Sequence, residues 1–215
     1  MPTSGQITAA ASEIANRWLP LAVAWHLAVV AVLIALARGW RPARRTAGLL
    51  IAAPSISVAA MAWLAGNPFN GSIFTLLAAG QVLLALRLAP GRIERGPGWA
   101  MVAGTALVGF GLFYPHFLVD RAPAMYLVAA PFGLVPCPTI AVAIGVTLCA
   151  GGFQGRGWSA LMVAAGSFYA LYGALRLGVA LDVGLLAGTV ALALLLALGP
   201  AHRPMTAANS PGGGR

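Results

Sequence analysis

Charged side chains in this chain are confined to short gaps between long apolar runs, and that arrangement limits the fold more than any motif. Only 8% of the 215 residues are Asp, Glu, Lys or Arg, where a soluble domain carries roughly a quarter. Too few charges remain to build a water-facing surface, so most side chains should meet lipid. A helix needs about 20 apolar residues to cross the hydrocarbon core. Runs at 19–37, 47–66, 70–87, 98–118, 138–152, 158–175 and 182–199 predict an all-α integral membrane protein. The count is seven transmembrane helices, or six plus a re-entrant segment, because the runs at 138–152 and 182–199 are short.

All thirteen basic residues are arginine. In a soluble chain, a net charge of +9 would suggest nucleic acid. Here the arginines lie between apolar runs, where topology signals lie, so the expected partner is the lipid bilayer and no nucleic acid is expected. Arg38, Arg41, Arg44 and Arg45 fill the first gap, Arg87, Arg92 and Arg95 the third, Arg156 the fifth, and Arg203 and Arg215 the tail. The alternate gaps hold only Arg17, Arg121 and Arg176. Basic loops stay cytoplasmic, which predicts the N-terminus out and the C-terminus in. The composition fits a multi-pass protein of a bacterial inner membrane.

The predicted organisation has three parts. Residues 1–18 form an outer amphipathic segment, with Ile7, Ala11, Ile14 and Trp18 at helical spacing; no cleavable signal peptide is evident there. Residues 19–199 form one transmembrane domain containing a proline-rich loop at 114–138. Residues 200–215 form a disordered cytoplasmic tail. The loop holds Pro115, Pro123, Pro131, Pro136 and Pro138. Each proline removes a backbone donor, yet Ala124 to Val135 is apolar. Non-helical backbone at membrane depth must be buried in protein or line a cavity, so a membrane-dipping loop is expected, leading into a helix near Pro138.

The run Pro131-Phe132-Gly133-Leu134-Val135-Pro136-Cys137-Pro138-Thr139, after the pair Tyr114-Pro115, resembles the signature of the bacterial membrane family catalogued as domain of unknown function 6064. Asn16 and Pro20 near the first helix, Phe74 and Gln81 in the third, and Asp182 opening the last match what that family tends to carry. Ile140-Ala141-Val142-Ala143 stand where the family commonly has a second Thr and a Phe-Thr pair, and His116 follows Tyr-Pro rather than preceding it. The resemblance implies the architecture and the residues of interest, and supplies no reaction.

Candidate functional residues follow from chemistry that is rare in a membrane. Cys137, between Pro136 and Pro138, is a soft-metal ligand or redox thiol, or a small filler in a tight turn. A metal site normally takes three or four ligands, and Cys149, about 120° further round the same helix, cannot share an ion with Cys137. No cofactor is expected beyond a possible soft metal ion at Cys137. His26 lies near mid-depth of the first span, where an ionisable group is a functional candidate; the alternative is a neutral interhelical hydrogen bonder. His116 and Asp120 would pair on one helical face if the helix continued past Pro115. Asp182 is expected to cap the last helix, with Arg176 as its neighbour. Asn67, Asn70, Thr75 and Gln81 put polar groups in or near the third helix, and Pro54, Ser55 and Ser57 form a polar break in the second. Gly184 and Gly188 form a small-residue pair suited to close helix contact or dimerisation.

Soluble-enzyme signatures are absent from the sequence: there is no Gly-x-Ser-x-Gly, no His-Glu-x-x-His and no phosphate loop. Four acids leave little for paired carboxylate chemistry, so the reading leans away from an enzyme. Three functions remain. The first is passive or accessory movement of a small solute, with loop 114–139 lining the path through Pro136, Cys137, Pro138, Thr139, Asn70 and Gln81. The second is soft-metal or redox chemistry at Cys137. The third is a structural subunit of a membrane complex or a homo-oligomer.

Overall fold

A computed structural model describes residues 3–198. The tail expected at 200–215, with Arg203 and Arg215, lies outside the described residues. Within them the chain is all helix: α1 Ser4–Arg17, α2 Leu19–Ala37, α3 Arg44–Leu64, α4 Pro68–Arg87, α5 Gly98–Phe113, a short α6 Tyr126–Ala129, α7 Pro136–Cys149, α8 Arg156–Leu171 and α9 Asp182–Leu198. One turn of 3₁₀ helix precedes α6, and a π-helical segment Tyr172–Leu177 extends α8. Four helices are long and apolar enough to cross a membrane: α2, α3, α4, and α8 with its extension. Helices α5, α7 and α9 are apolar but shorter.

The core is built around α7. Its side chains from Cys137 to Gly145 are all buried, as are Thr147 and Leu148, and it is enclosed by α3, α5, α8 and α9. At 14 residues it is about 21 Å long, shorter than a hydrocarbon core of about 30 Å. Glycines set its closest crossing. A Cβ on Gly145 would meet the carbonyl oxygen of Gly104 on α5, and one on Gly104 would meet that of Gly145. This is the small-residue contact by which membrane helices maximise van der Waals packing. Gly184 and Gly188 of α9 likewise face Phe110 and Leu107 of α5, so the pair serves contact within the chain.

The loops sort to two ends. Loop 38–43 and loop 88–97 are joined by Ile93 N–H to Pro42 O (3.0 Å) and Arg44 N–H to Gly91 O (2.9 Å). Gln154, beyond α7, donates to Glu94 (2.8 Å), and Arg44 pairs with Glu94 (2.7 Å). The gaps bearing Arg38, Arg41, Arg44, Arg45, Arg87, Arg92, Arg95 and Arg156 therefore share one end. At the opposite end, Asn16 of α1 donates to Phe117 O (2.9 Å) and accepts from Val119 N–H (3.2 Å), tying the N-terminal helix to the loop after α5.

Several boundaries differ from the expectation. Helix α5 ends at Phe113 rather than near 118, because Pro115 disfavours helix at the residue before it. Helix α3 runs unbroken through Pro54, so the polar break expected there is not a break; neighbouring helices let a membrane helix tolerate proline, and Ser57 instead accepts from the indole N–H of Trp25 (3.1 Å). Helix α7 begins at Pro136 and ends at Cys149.

Helix α2 stands apart. Only Ala22 and His26 are buried on it, both towards the end opposite the arginines. There Trp25 reaches Ser57, its ring meets Phe132 edge-on at 6.0 Å, and His26 reaches Leu112. At the other end the loop 38–43 holds it. Between these ties α2 leaves a gap along the bundle.

Candidate functional site

The proline-rich run builds the entry to α7. Leu134 and Val135 N–H both donate to Pro131 O (3.2 and 3.1 Å). The Thr139 hydroxyl donates to Val135 O (2.8 Å) and accepts from Gly133 N–H (2.9 Å), so one side chain stitches the turn on both sides. Gly133 has φ +75° and lies under the Trp25 indole, which a Cβ would strike. Pro136 and Pro138 occupy the first turn, where a missing N–H has no helical partner to lose. Residues Ala129 to Val135 are buried, so this irregular backbone is covered by protein.

Cys137 points from that first turn to a carboxyl group. Its Sγ donates to Asp182 Oδ2 (3.3 Å), and the Tyr114 hydroxyl donates to Asp182 Oδ1 (2.8 Å). Asp182 is 1% exposed and Tyr114 0%. The expected helix cap paired with Arg176 is thus corrected: both carboxyl oxygens are taken by Tyr114 and Cys137, and Arg176 is exposed. The one ion pair among the described residues is Arg44–Glu94, so Asp182 is buried with hydrogen-bond donors and no cation. The π-helical segment makes the room. A Cβ at Gly173 would overlap Asp182 Oδ2; π-bulges often mark functional sites.

Beside this cluster is a small cavity of about 30 Å³, lined by Asn70, Cys137, Tyr169 and Gly173 and covered by Ile7, Thr8 and Ala11 of α1. Tyr169 donates to Asn70 Oδ1 (3.1 Å) across it. The volume suits one water molecule.

A second cavity is the gap behind α2. It holds about 500 Å³ and is almost wholly apolar. Its walls run from Trp25 and Phe132 past Val32 and Val142 to Trp40 and Ile93. Most polar side chains on its walls are engaged within the protein: Thr139 in the turn above, Trp25 with Ser57 (3.1 Å), and Cys149 with the Thr105 hydroxyl (3.8 Å) and Met101 O (3.8 Å). Thr139 touches this cavity, and Pro136 and Cys137 touch the smaller one. Gln81 lines neither, which separates it from the path expected for loop 114–139.

Gln81 lies in the core, donating to Met162 Sδ (3.3 Å) with its Oε1 unpartnered. The two ring nitrogens of His26 face Ala22 O (2.9 Å) and Leu112 O (3.0 Å). A neutral ring has one N–H. Ala22 O already accepts in the α2 ladder, whereas Leu112 is in the last turn of α5, where carbonyls lack helical donors. Donation from Nε2 serves the Leu112 carbonyl, which has no helical donor, and leaves Nδ1 facing Ala22 O without a proton to share. His116 and Asp120 do not share a helical face, since α5 has ended; His116 packs on Phe117 (ring centroids 4.3 Å), and Asp120 is exposed with φ +52°. Burial in this loop lowers the His116 pKa.

The site residue missed from sequence is Asp182 as a partner of Tyr114 and Cys137. The available signal was a carboxylate bordering an apolar run in a chain with four acids. Among the described residues, no three His, Cys, Asp or Glu side chains gather as a metal would require. No family model, curated protein or solved structure matches the chain.

Proposed function

We propose that the protein is a seven-span bacterial inner-membrane protein, N-terminus out and C-terminus in, that takes an apolar molecule from the bilayer into the crevice behind α2. This is the accessory solute-moving role with its solute defined as membrane-dissolved. Membership of the family catalogued as domain of unknown function 6064 is part of the same proposal. The observation that carries it is the 500 Å³ apolar space closed at one end by Phe132 and Thr139 of the proline-rich run. Ligand sites are typically roughly 300–1,000 Å³ and mostly apolar. A hydrophilic solute would find almost no polar surface along these walls. Helix α2, tied at its ends and loose between, leaves the crevice open to lipid.

Cys149 lines the crevice and Cys137 does not, which provides the test. Maleimide should label Cys149 in the folded protein, and a long-chain alcohol should slow that labelling. A rate indifferent to any apolar competitor would reject the proposal. Reporter fusions in the loops 38–43 and 114–122 test the orientation.

A second reading, soft-metal chemistry, is favoured by one observation: Cys137 Sγ and Asp182 Oδ2 are 3.3 Å apart. Elemental analysis of native protein and of C137S decides it; equal metal content in both ends that reading.

A further inference from the structure

We propose that the guest of this crevice is one anionic phospholipid, with an acyl chain between α2 and α7 and its phosphate among Arg38, Arg41 and Arg92. The inference rests on the crevice being a pocket for an apolar molecule, and adds what stands at that molecule's polar end.

The crevice has two unlike ends. From Trp25 to Trp40, fifteen residues along α2 and just past its end, it extends about 22 Å at helical rise, a length suited to an extended long acyl chain. At one end its walls are Trp25, Phe132 and Thr139, all apolar or internally bonded. At the other they are Leu36, Trp40, Pro42 and Ile93, and Arg38, Arg41 and Arg92 are within two residues of these in the chain. The Arg41 guanidinium donates to Leu36 O (3.1 Å) and Trp40 O (3.2 Å), so its charge is held against two wall residues. Arg92 precedes the wall residue Ile93 and pairs through its backbone with Ala43, while Arg38 closes the end of α2.

These cations are uncompensated. The ion pair among the described residues engages Arg44 with Glu94, and Arg38, Arg41 and Arg92 have no carboxylate partner there. A guest with a long apolar body and a neutral head would leave them unanswered. A phosphate at this rim answers them, because guanidinium groups pair with phosphate oxygens in a forked geometry. Trp40, exposed at the same rim, is the residue type enriched at headgroup level.

The test uses the full chain purified in neutral detergent. Phosphatidylglycerol and phosphatidylcholine with identical acyl chains are added in turn, and retention is read by native mass spectrometry and thermal unfolding. One phosphatidylglycerol per chain should be retained in preference to phosphatidylcholine. In R41Q and R92Q that preference should fall about five-fold per arginine removed. V32W, which fills the crevice from the α2 side, should abolish retention of both lipids; A28W, about one turn away, serves if V32W does not fold. Equal retention of the two lipids, unchanged in R41Q and R92Q but lost in V32W, overturns the headgroup assignment and leaves the apolar pocket standing. Retention unaffected by V32W and A28W overturns both.

Discussion

The buried hydrogen bonds on Asp182 lend themselves to a double-mutant cycle. Y114F removes the donor to Oδ1 and leaves that oxygen 2.8 Å from nothing polar. A buried acceptor deprived of its partner costs about 1–3 kcal/mol. D182L removes the acceptor and leaves both the Tyr114 hydroxyl and the Cys137 thiol unpaired, a cost of about 2–3 kcal/mol counting the thiol as the weaker donor. The double variant Y114F/D182L abandons the strong bond from both sides, so its cost should fall short of the sum. A typical intramolecular hydrogen bond is worth about 0.5–1.5 kcal/mol, while measured pairs in membrane proteins average about 0.6 and reach about 1.7 kcal/mol. The coupling expected here is therefore about 1 to 1.5 kcal/mol, towards the upper end because the pair is fully buried and water cannot replace the lost partner. The assay is unfolding in mixed micelles followed by circular dichroism, with the four proteins under one condition. Additivity within about 0.5 kcal/mol, the scatter of independent sites, would mean the two residues do not depend on one another.

Three further outcomes follow from the same packing. T139V should destabilise the fold by about 1–3 kcal/mol, because both Gly133 N–H and Val135 O lose the hydroxyl that joins them; T139S should recover most of the loss in the same micelle assay. G145V should prevent stable folding or cost at least about 3 kcal/mol, since its side chain meets the backbone of α5 rather than a movable side chain; folded protein recovered at native yield would contradict the crossing. H26L should cost about 1 kcal/mol and speed hydrogen exchange in α2 while α3 and α7 keep their protection, and uniform acceleration across the chain would refute the view of α2 as a separately fastened helix.

Features written in local patterns were legible in the sequence. Apolar length places α2 at 19–37, and charge spacing alone groups Arg41, Arg92 and Arg156 on one side. Features that depend on distant partners were not. The apolar run past Phe113 resembled a continuing helix, and only the weight given to Pro115 decides its end. Asp182 before an apolar run had the look of an N-cap; its true partners are 68 and 45 residues away in sequence, a separation that no periodicity encodes. Gln81 stands out as a polar side chain in a membrane helix, yet polar type alone does not distinguish a path from a core, and its neighbour is Met162. The crevice left no sequence signal either, because a helix facing lipid and one facing an apolar gap have the same composition.

The enclosure of α7 bears on the order in which the chain can mature. Two of the helices that wrap it, α8 and α9, follow it along the polypeptide. When α7 leaves the ribosome only α3 and α5 of its four walls have been made, and Tyr114 and Cys137 wait for a carboxyl group that arrives with residue 182. Consolidation of the centre is thus a late event in biogenesis, and a chain halted before α9 would leave one side of its most deeply placed helix without its protein wall.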